Sequence, residues 1–326
     1  MAPALLEVTD LHAEFRNRDG GAPLSAVDGV SFDLHQGETL GVVGESGSGK
    51  TTIAHSIIRM LPPGGRIAGG SIRFDGVELT TLPARDMRRL RGAEVAMILQ
   101  DPMASLDPMF TIFDQVAEPA RYHRGLRGRA LVGEVADLLR QVRIPSPKQR
   151  MRDYPHQMSG GQRQRVVGAA ALAGRPKLII ADEPTTSLDV TVQRQYLDLL
   201  KTLQRETGVA LIFITHDLGI VAKVCDRVAV MYAGRMVEQR PVERLFHDPR
   251  HPYTQALLRA MPKLGSAEPL FAIPGQAPNL AALPRGCSFQ SRCPQAGAPC
   301  LAERPPTVAL GLRQEVQCHF AEGAPS

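Results

Sequence analysis

Residues Glu38–Gly65 read ETLGVVGESGSGKTTIAHSIIRMLPPGG, and three textures follow one another within them. Leu40–Val43 is a short apolar run, the pattern of a buried strand. Gly44–Thr51, GESGSGKT, fits G-x-x-x-x-G-K-[ST]. Ile53, Ile57, Met60 and Leu61 then recur at helical spacing, and Pro62–Pro63 is expected to stop that helix. A strand, a glycine-rich loop and a helix form the context this motif needs. Glycines let the backbone turn tightly and aim N–H groups at phosphate oxygens, and the helix adds its positive end. In this reading Gly44, Glu45, Ser46, Gly47, Ser48 and Gly49 cradle the phosphates. Lys50 supplies a mobile charge for the β- and γ-phosphates, Thr51 a hydroxyl for Mg²⁺, and Thr52 joins the nucleotide-binding set.

A phosphate cradle alone hydrolyses nothing. The apolar run ending LIIADEP places Asp182 at a strand end, where a carboxylate can hold Mg²⁺, with Glu183 beside it to polarise a water. Surface acids are common. The pair gains meaning from the phosphate loop upstream and the apolar strand before it.

Outward from these stretches the chain alternates. Residues Leu5–Leu34 read as strands around the turn cluster NRDGGAP, and GSIRFDGVEL as a hairpin turning at Asp75-Gly76. Met109–Leu172 is mostly helical. KLIIAD, a helix through Val192, Tyr196, Leu199, Leu200 and Leu203 capped at Gly208, and VALIFIT restore the strand–helix alternation of an α/β parallel sheet. RVAVMYAGRMVE reads as a closing hairpin. Beyond about Pro241 proline rises and periodicity weakens, the mark of a separate tail.

QMSGGQRQR, with Ser159, Gly160, Gly161 and Gln162, then decides the family reading. Together with the elements above it resembles the signature of the ATP-binding cassette (ABC) ATPases. Gln100 in AMILQDP resembles the family's Q-loop, Asp189 closing TTSLD its D-loop, and His216 in FITHD its switch histidine. Phe15 stands where an adenine-stacking aromatic is expected. The resemblance covers about residues 5 to 260. It implies a P-loop, RecA-like α/β domain over residues 1–258 with an antiparallel β subdomain and a helical subdomain at about 101–172. ATP is sandwiched in a dimer, so Ser159–Gln162 serve the partner's nucleotide. The same resemblance makes Glu183, His216 and Gln100 the catalytic set, and Thr51, Gln100 and Asp182 the Mg²⁺ set.

With one phosphate loop, one signature and no sustained heptads, the chain resembles a transporter subunit rather than the chromosome- or ribosome-acting members. HPYTQALLRAMP, from His251, resembles the C-terminal extension of the oligopeptide/dipeptide/nickel importer ATPases, here residues 259–326. The implied partners are a second ATPase subunit, a paralogue by resemblance, with two permeases and an extracytoplasmic binding protein, at the cytoplasmic face of the cell (inner) membrane. Substrates left open are di- and oligopeptides, nickel chelates and glutathione. Met158 stands where Leu is commonest and Asp107 where Asn is frequent; neither change removes a catalytic group.

Composition narrows the alternatives. Hydrophobic residues make up 43% of 326, enough for a sizeable core, and the formal charge of +5 keeps open a soluble ATPase acting on nucleic acid. Aromatics at 5% and the lack of Trp argue against a single-strand stacking platform, and no nucleic acid is expected as partner. The N-terminus lacks a secretory pattern, no apolar stretch approaches the roughly 18 residues of a span, and only the last few residues suggest disorder.

Four of five cysteines fall in the tail: Cys287, Cys293, Cys300 and Cys318, spaced C-x5-C-x6-C-x17-C. The spacing lacks the paired knuckles of structural zinc and leaves iron–sulfur, zinc and free thiols open. The peptide-importer resemblance implies a [4Fe–4S] cluster of structural role. Cys225 reads as a core residue.

Overall fold

The computed structural model describes residues 3–17, 20–186, 188–262 and 271–321. Arg18 and Asp19 of the NRDGGAP cluster, Ser187 of TTSLD and the terminal residues 322–326 lie outside these. The elements are, in order, β1 (Leu6–Phe15), β2 (Leu24–Leu34), β3 (Thr39–Val43), α1 (Lys50–Ile57), β4 (Gly65–Phe74), β5 (Val77–Glu78), α2 (Ala84–Leu90) and β6 (Val95–Ile98). A helical stretch follows: α3 (Pro102–Ser105), α4 (Ile112–Arg124), α5 (Gly128–Gln141), α6 (Pro147–Arg150) and α7 (Gly160–Leu172). Then come β7 (Leu178–Asp182), α8 (Val190–Thr207), β8 (Ala210–Thr215), α9 (Leu218–Val224), β9 (Arg227–Tyr232) and β10 (Arg235–Pro241). The tail holds α10 (Val242–His247), α11 (Pro252–Arg259), α12 (Ala298–Ala302), β11 (Thr307–Gly311) and β12 (Gln314–Gln317).

The chain divides into two compact units. The first holds residues 35–39 and 81–214. Its strands β6, β7 and β8 are parallel, with Asp182 in register with Ile214. Every residue of β7 is buried, as a strand covered on both faces requires. Tyr196, Leu199, Leu200 and Leu203 of α8 line one small apolar space together with Ile98, Ile179 and Leu211, and Gly208, at φ 68°, ends α8 as its sequence implies. Helices α4, α5 and α7 pack on one another.

The second unit holds the described residues of 4–34, 40–80 and 215–321. Strands β2, β1, β4 and β5 form an antiparallel sheet. Asp75 and Gly76, both at positive φ, make the expected β4–β5 turn, and Ala233 and Gly234 do the same between β9 and β10. Strand β3 lies parallel to β9, as Leu40–Val43 promised.

Two expectations need correction. Helix α1 ends at Ile57, before the prolines, and Met60 is exposed. Arg59 turns left-handed at φ 51°; its N–H donates to the Ser56 carbonyl at 3.0 Å and that of Met60 to His55 at 2.8 Å. That is a Schellman stop with arginine where glycine is usual, and the Arg59 guanidinium secures it on the Leu79 carbonyl at 2.9 Å. The region after Pro241 is also not a separate appendage. Strand β12 pairs antiparallel with β10, and β11 with β12. Arg304 reaches Asp28 at 3.3 Å and Arg313 reaches Asp33 at 2.6 Å. Weak periodicity hid two short strands whose stability comes from a distant edge.

Candidate functional site

Residues 44–50 of the second unit form a tight loop between β3 and α1. Glycine is required at both ends: a Cβ on Gly44 would lie 2.2 Å from the Met231 carbonyl oxygen, and one on Gly49 2.3 Å from that of Ala26. Lys50, nearly buried, donates from Nζ to the carbonyls of Gly44 at 2.8 Å and Glu45 at 2.9 Å. The ammonium is thereby held against the loop's own backbone. Thr51 and Thr52 follow in the first turn of α1, Thr51 exposed. Ser46 and Gly47 are exposed and Ser48 is buried.

C-terminal elements fix the loop. The Tyr253 hydroxyl accepts from the Glu45 N–H at 3.0 Å, and the Gly234 N–H donates to the Ser48 carbonyl at 3.0 Å. Arg292 grips the Glu45 carboxylate at two points, 2.9 and 3.0 Å. Tyr232, Tyr253 and Phe289 stack in one buried aromatic group, with ring centroids 4.5–5.4 Å apart. Burial pushes the Tyr253 hydroxyl above its ordinary range, and the Glu45 carboxylate adds to it, so it stays a neutral acceptor. Phe15 is half-buried at the end of β1 with its ring over Gly65. His216 is exposed after β8, and Asp217 beside it caps α9 by accepting from Gly219 N–H at 2.7 Å.

In the first unit Asp182 and Glu183 end β7. Asp182 is 6% exposed. Glu183 sits in the left-handed region at φ 45°, strained for a residue with a side chain. Its carboxylate accepts from Gln100 Nε2 at 3.2 Å and from Thr186 Oγ1 at 3.0 Å. The structure thus joins two residues picked from sequence, Gln100 and Glu183, and adds Thr186. Its only sequence signal is a hydroxyl three residues after the acid. Two donors fix the orientation of the carboxylate.

Ser159 caps α7 with a reciprocal box: its hydroxyl accepts from Gln162 N–H at 3.3 Å, and its own N–H donates to Gln162 Oε1 at 3.1 Å. Ser159 is exposed and Gly160 and Gly161 are half-buried, Gly161 close against the Val192 side chain. Asp189 caps α8 by accepting from Thr191 and Val192 N–H at 3.0 and 2.9 Å. Met158 is buried, an apolar substitute for the common Leu.

The tail cysteines interact as a set. Burial raises the thiol pKa of Cys287, Cys293 and Cys318, and each is raised further by others of the four. Cys287 N–H donates to the Cys300 carbonyl at 2.8 Å. Among the described residues no three His, Cys, Asp or Glu side chains converge closely enough to hold one metal ion. Cys225 is buried in the core.

Comparison with known proteins gives a consistent set of likenesses. A family model described as ABC transporter matches residues 27–186, and one described as oligopeptide/dipeptide transporter, C-terminal region, matches residues 237–300. The chain is 46% identical to a putative peptide import ATP-binding protein of Brucella ovis, over 96% of each chain. It is 49% identical to the oligopeptide transport ATP-binding protein OppD of Salmonella typhimurium, over 90% of this chain and 88% of the relative. A dimeric ATP-binding cassette solved in a post-hydrolysis state with ADP and Pi is 25% identical, with a TM-score of 0.65, over 73% of this chain and 98% of its own. An ABC transporter component from Clostridium perfringens is 27% identical, with a TM-score of 0.66, over 76% and 92%.

Proposed function

The chain belongs to the ABC transporter family, an ATPase of the P-loop cassette fold, and on that premise we propose that it hydrolyses ATP to power the uptake of di- or oligopeptides through membrane partners. One observation carries this reading: a cassette and an oligopeptide/dipeptide transporter C-terminal region share one chain, in the arrangement of relatives named for peptide import that match nearly its whole length. None of these likenesses favours the nucleic-acid alternative.

In the proposed chemistry Lys50 and the N–H groups of 44–52 take the phosphates. Thr51, Gln100 and Asp182 would hold Mg²⁺; hydroxyl, amide and carboxylate oxygens are the hard donors this ion takes. Bound there, the ion would supply charge neutralisation at the phosphates. Glu183, oriented by Gln100 and Thr186, accepts the proton of the attacking water, and His216 is assigned to the γ-phosphate. Phe15 stacks on the base. Ser159–Gln162, at the N-terminal end of α7, would face the nucleotide of a second subunit across an Asp189-lined dimer contact. The partners are a paralogous ATPase, two permeases and an extracytoplasmic binding protein. No described helix is long and apolar enough to cross a membrane. By its likeness to peptide-import ATPases the chain would be peripheral on the cytoplasmic face, offering permeases the groove lined by exposed Phe110 and half-buried Gln115.

We assign the four tail thiols to a [4Fe–4S] cluster, the group that the likeness to peptide-importer ATPases implies; four irons can each take one thiolate. Cys287, Cys293, Cys300 and Cys318 would hold it, and its role is to staple the tail. Iron and sulfide analysis after anaerobic purification tests the assignment; stoichiometric zinc in place of iron contradicts it.

The transport reading is tested by solubilising membranes and recovering the tagged chain. Two integral membrane proteins and a second ATPase are expected with it. Recovery without them, with DNA or RNA bound salt-sensitively and stimulating ATP turnover, would overturn it.

A further inference from the structure

We propose that Arg292 is a positioning residue for the nucleotide site, through which the cysteine-bearing tail sets the affinity of the phosphate loop. This rests on the reading of residues 44–51 as the ATP phosphate cradle.

The geometry concentrates on Glu45. Its three polar ends are each committed: the N–H to Tyr253 at 3.0 Å, the carboxylate to Arg292 at 2.9 and 3.0 Å, and the carbonyl to Lys50 Nζ at 2.9 Å. Glu45 therefore joins the loop lysine to two C-terminal segments 208 and 247 residues away. Arg292 is itself immobilised. Its Nε donates to the Pro274 carbonyl at 2.9 Å and its Nη1 to the Tyr232 hydroxyl at 3.3 Å. The guanidinium lies 5.8 Å from the Tyr232 ring centroid and 6.0 Å from that of Phe289. Its side chain is only 5% exposed. Arg292 also stands directly before Cys293, and Phe289 lies two residues after Cys287. The module that fixes the four thiols thereby fixes the fork that holds Glu45.

A bidentate pair is geometrically specific, and removing Glu45 leaves the nearly buried Arg292 guanidinium without its carboxylate. A surface staple for the tail would not need to reach the second residue of the phosphate loop. By fixing the carboxylate, Arg292 fixes the Glu45 peptide units, whose carbonyl and N–H set where Lys50 and the loop amides point. Preorganised donors bind phosphate without a reorganisation cost; a loosened loop binds it less well. Reciprocity follows, since binding at the loop must then tighten the tail by the same factor.

The test uses the full chain, with ATP and ADP affinities from equilibrium titration and turnover at saturating ATP. Arg292→Gln is expected to weaken both affinities about tenfold while turnover at saturation stays within about twofold. Glu45→Gln should weaken them equally, and the double variant no further than either single one. Arg292→Lys should recover only part of the loss, because an ammonium cannot make the two-point contact. In the wild type ATP should slow limited proteolysis of the tail, and Arg292→Gln should abolish that protection. Single-variant affinities within about twofold of wild type, or losses that add in the double variant, overturn the coupling. If Arg292→Gln fails to fold, Glu45→Gln carries the test, and wild-type affinity in it overturns the proposal. A wild-type chain that binds no ATP overturns the reading of the loop itself, and this proposal with it.

Discussion

Glu183 combines a left-handed backbone at φ 45° with a carboxylate gripped by Gln100 and Thr186. Strain at one residue, offset by two donors, is how a fold keeps a side chain where it would not otherwise rest. Replacing it by glutamine should lower ATP turnover at least about 100-fold, the scale of a lost general base. ATP affinity should stay within a few-fold, and an ATP-bound dimer should appear by light scattering; wild-type turnover would remove Glu183 from that role. Glu78 gives a second residue-level prediction. Burial alone would raise its pKa, but donors from Ser71, Thr80 and Ile72 outweigh burial and lower it from 4.5 to about 2. Because the folded carboxyl titrates below the unfolded one, its contribution is complete above about pH 4.5 and vanishes as pH falls through about 2. Allowing for solvent screening it is worth about 1–2 kcal/mol. Glu78→Gln should lower the melting temperature at pH 7, with the two chains converging near pH 2; an equal gap at both pH values contradicts this. The sequence displayed Glu183 and Gln100 as letters in ordered motifs. It did not display Thr186, whose local bond to Glu183 depends on the turn after β7, or Arg292, whose hydrogen bonds are tertiary.

Helix α7 begins on the Ser159–Gln162 box, so one residue both caps the helix and presents the proposed γ-phosphate donor. The two roles separate by substitution. Ser159→Ala should cost about 1 kcal/mol in the first turn of α7, read as faster amide exchange there. Ser159→Asp should restore the cap yet depress turnover as strongly, since a carboxylate repels the γ-phosphate. Equal turnover in Ser159→Asp and wild type contradicts the second role. In the tail, Phe289 is 1% exposed against Tyr232 and Tyr253. Phe289→Ala should cost about 3–5 kcal/mol of tail stability and open the region after Ala260 to limited proteolysis; unchanged cleavage would show that the aromatic group does not hold it. Elements with strong periodicity or turn chemistry were legible: β3, α8 with Gly208, and the hairpins at Asp75-Gly76 and Ala233-Gly234. The end of α1 was not, since an arginine took the left-handed stop that glycine usually marks. Strands β11 and β12 were not, since a five- and a four-residue strand carry too few side chains to show a period.

At the scale of the molecule, the tail changes meaning. Sequence alone placed its cysteines apart from the nucleotide chemistry. The structure makes it an extension of the β9–β10 edge, joined to β2 by Arg304 and Arg313 and to the phosphate loop by Arg292. The cassette was legible because phosphate and Mg²⁺ chemistry demands specific residue types at fixed local spacing. The tail's attachment was not, because ion pairs between residues more than 200 positions apart leave no local pattern. The peptide-import reading is tested most directly by uptake of a labelled peptide in cells whose sole copy of this chain carries Lys50→Ala. Peptide entry should fall to background, with peptide capture by the extracytoplasmic binding protein intact. Undiminished entry, with the variant present at wild-type level, would contradict ATP-driven peptide import by this chain.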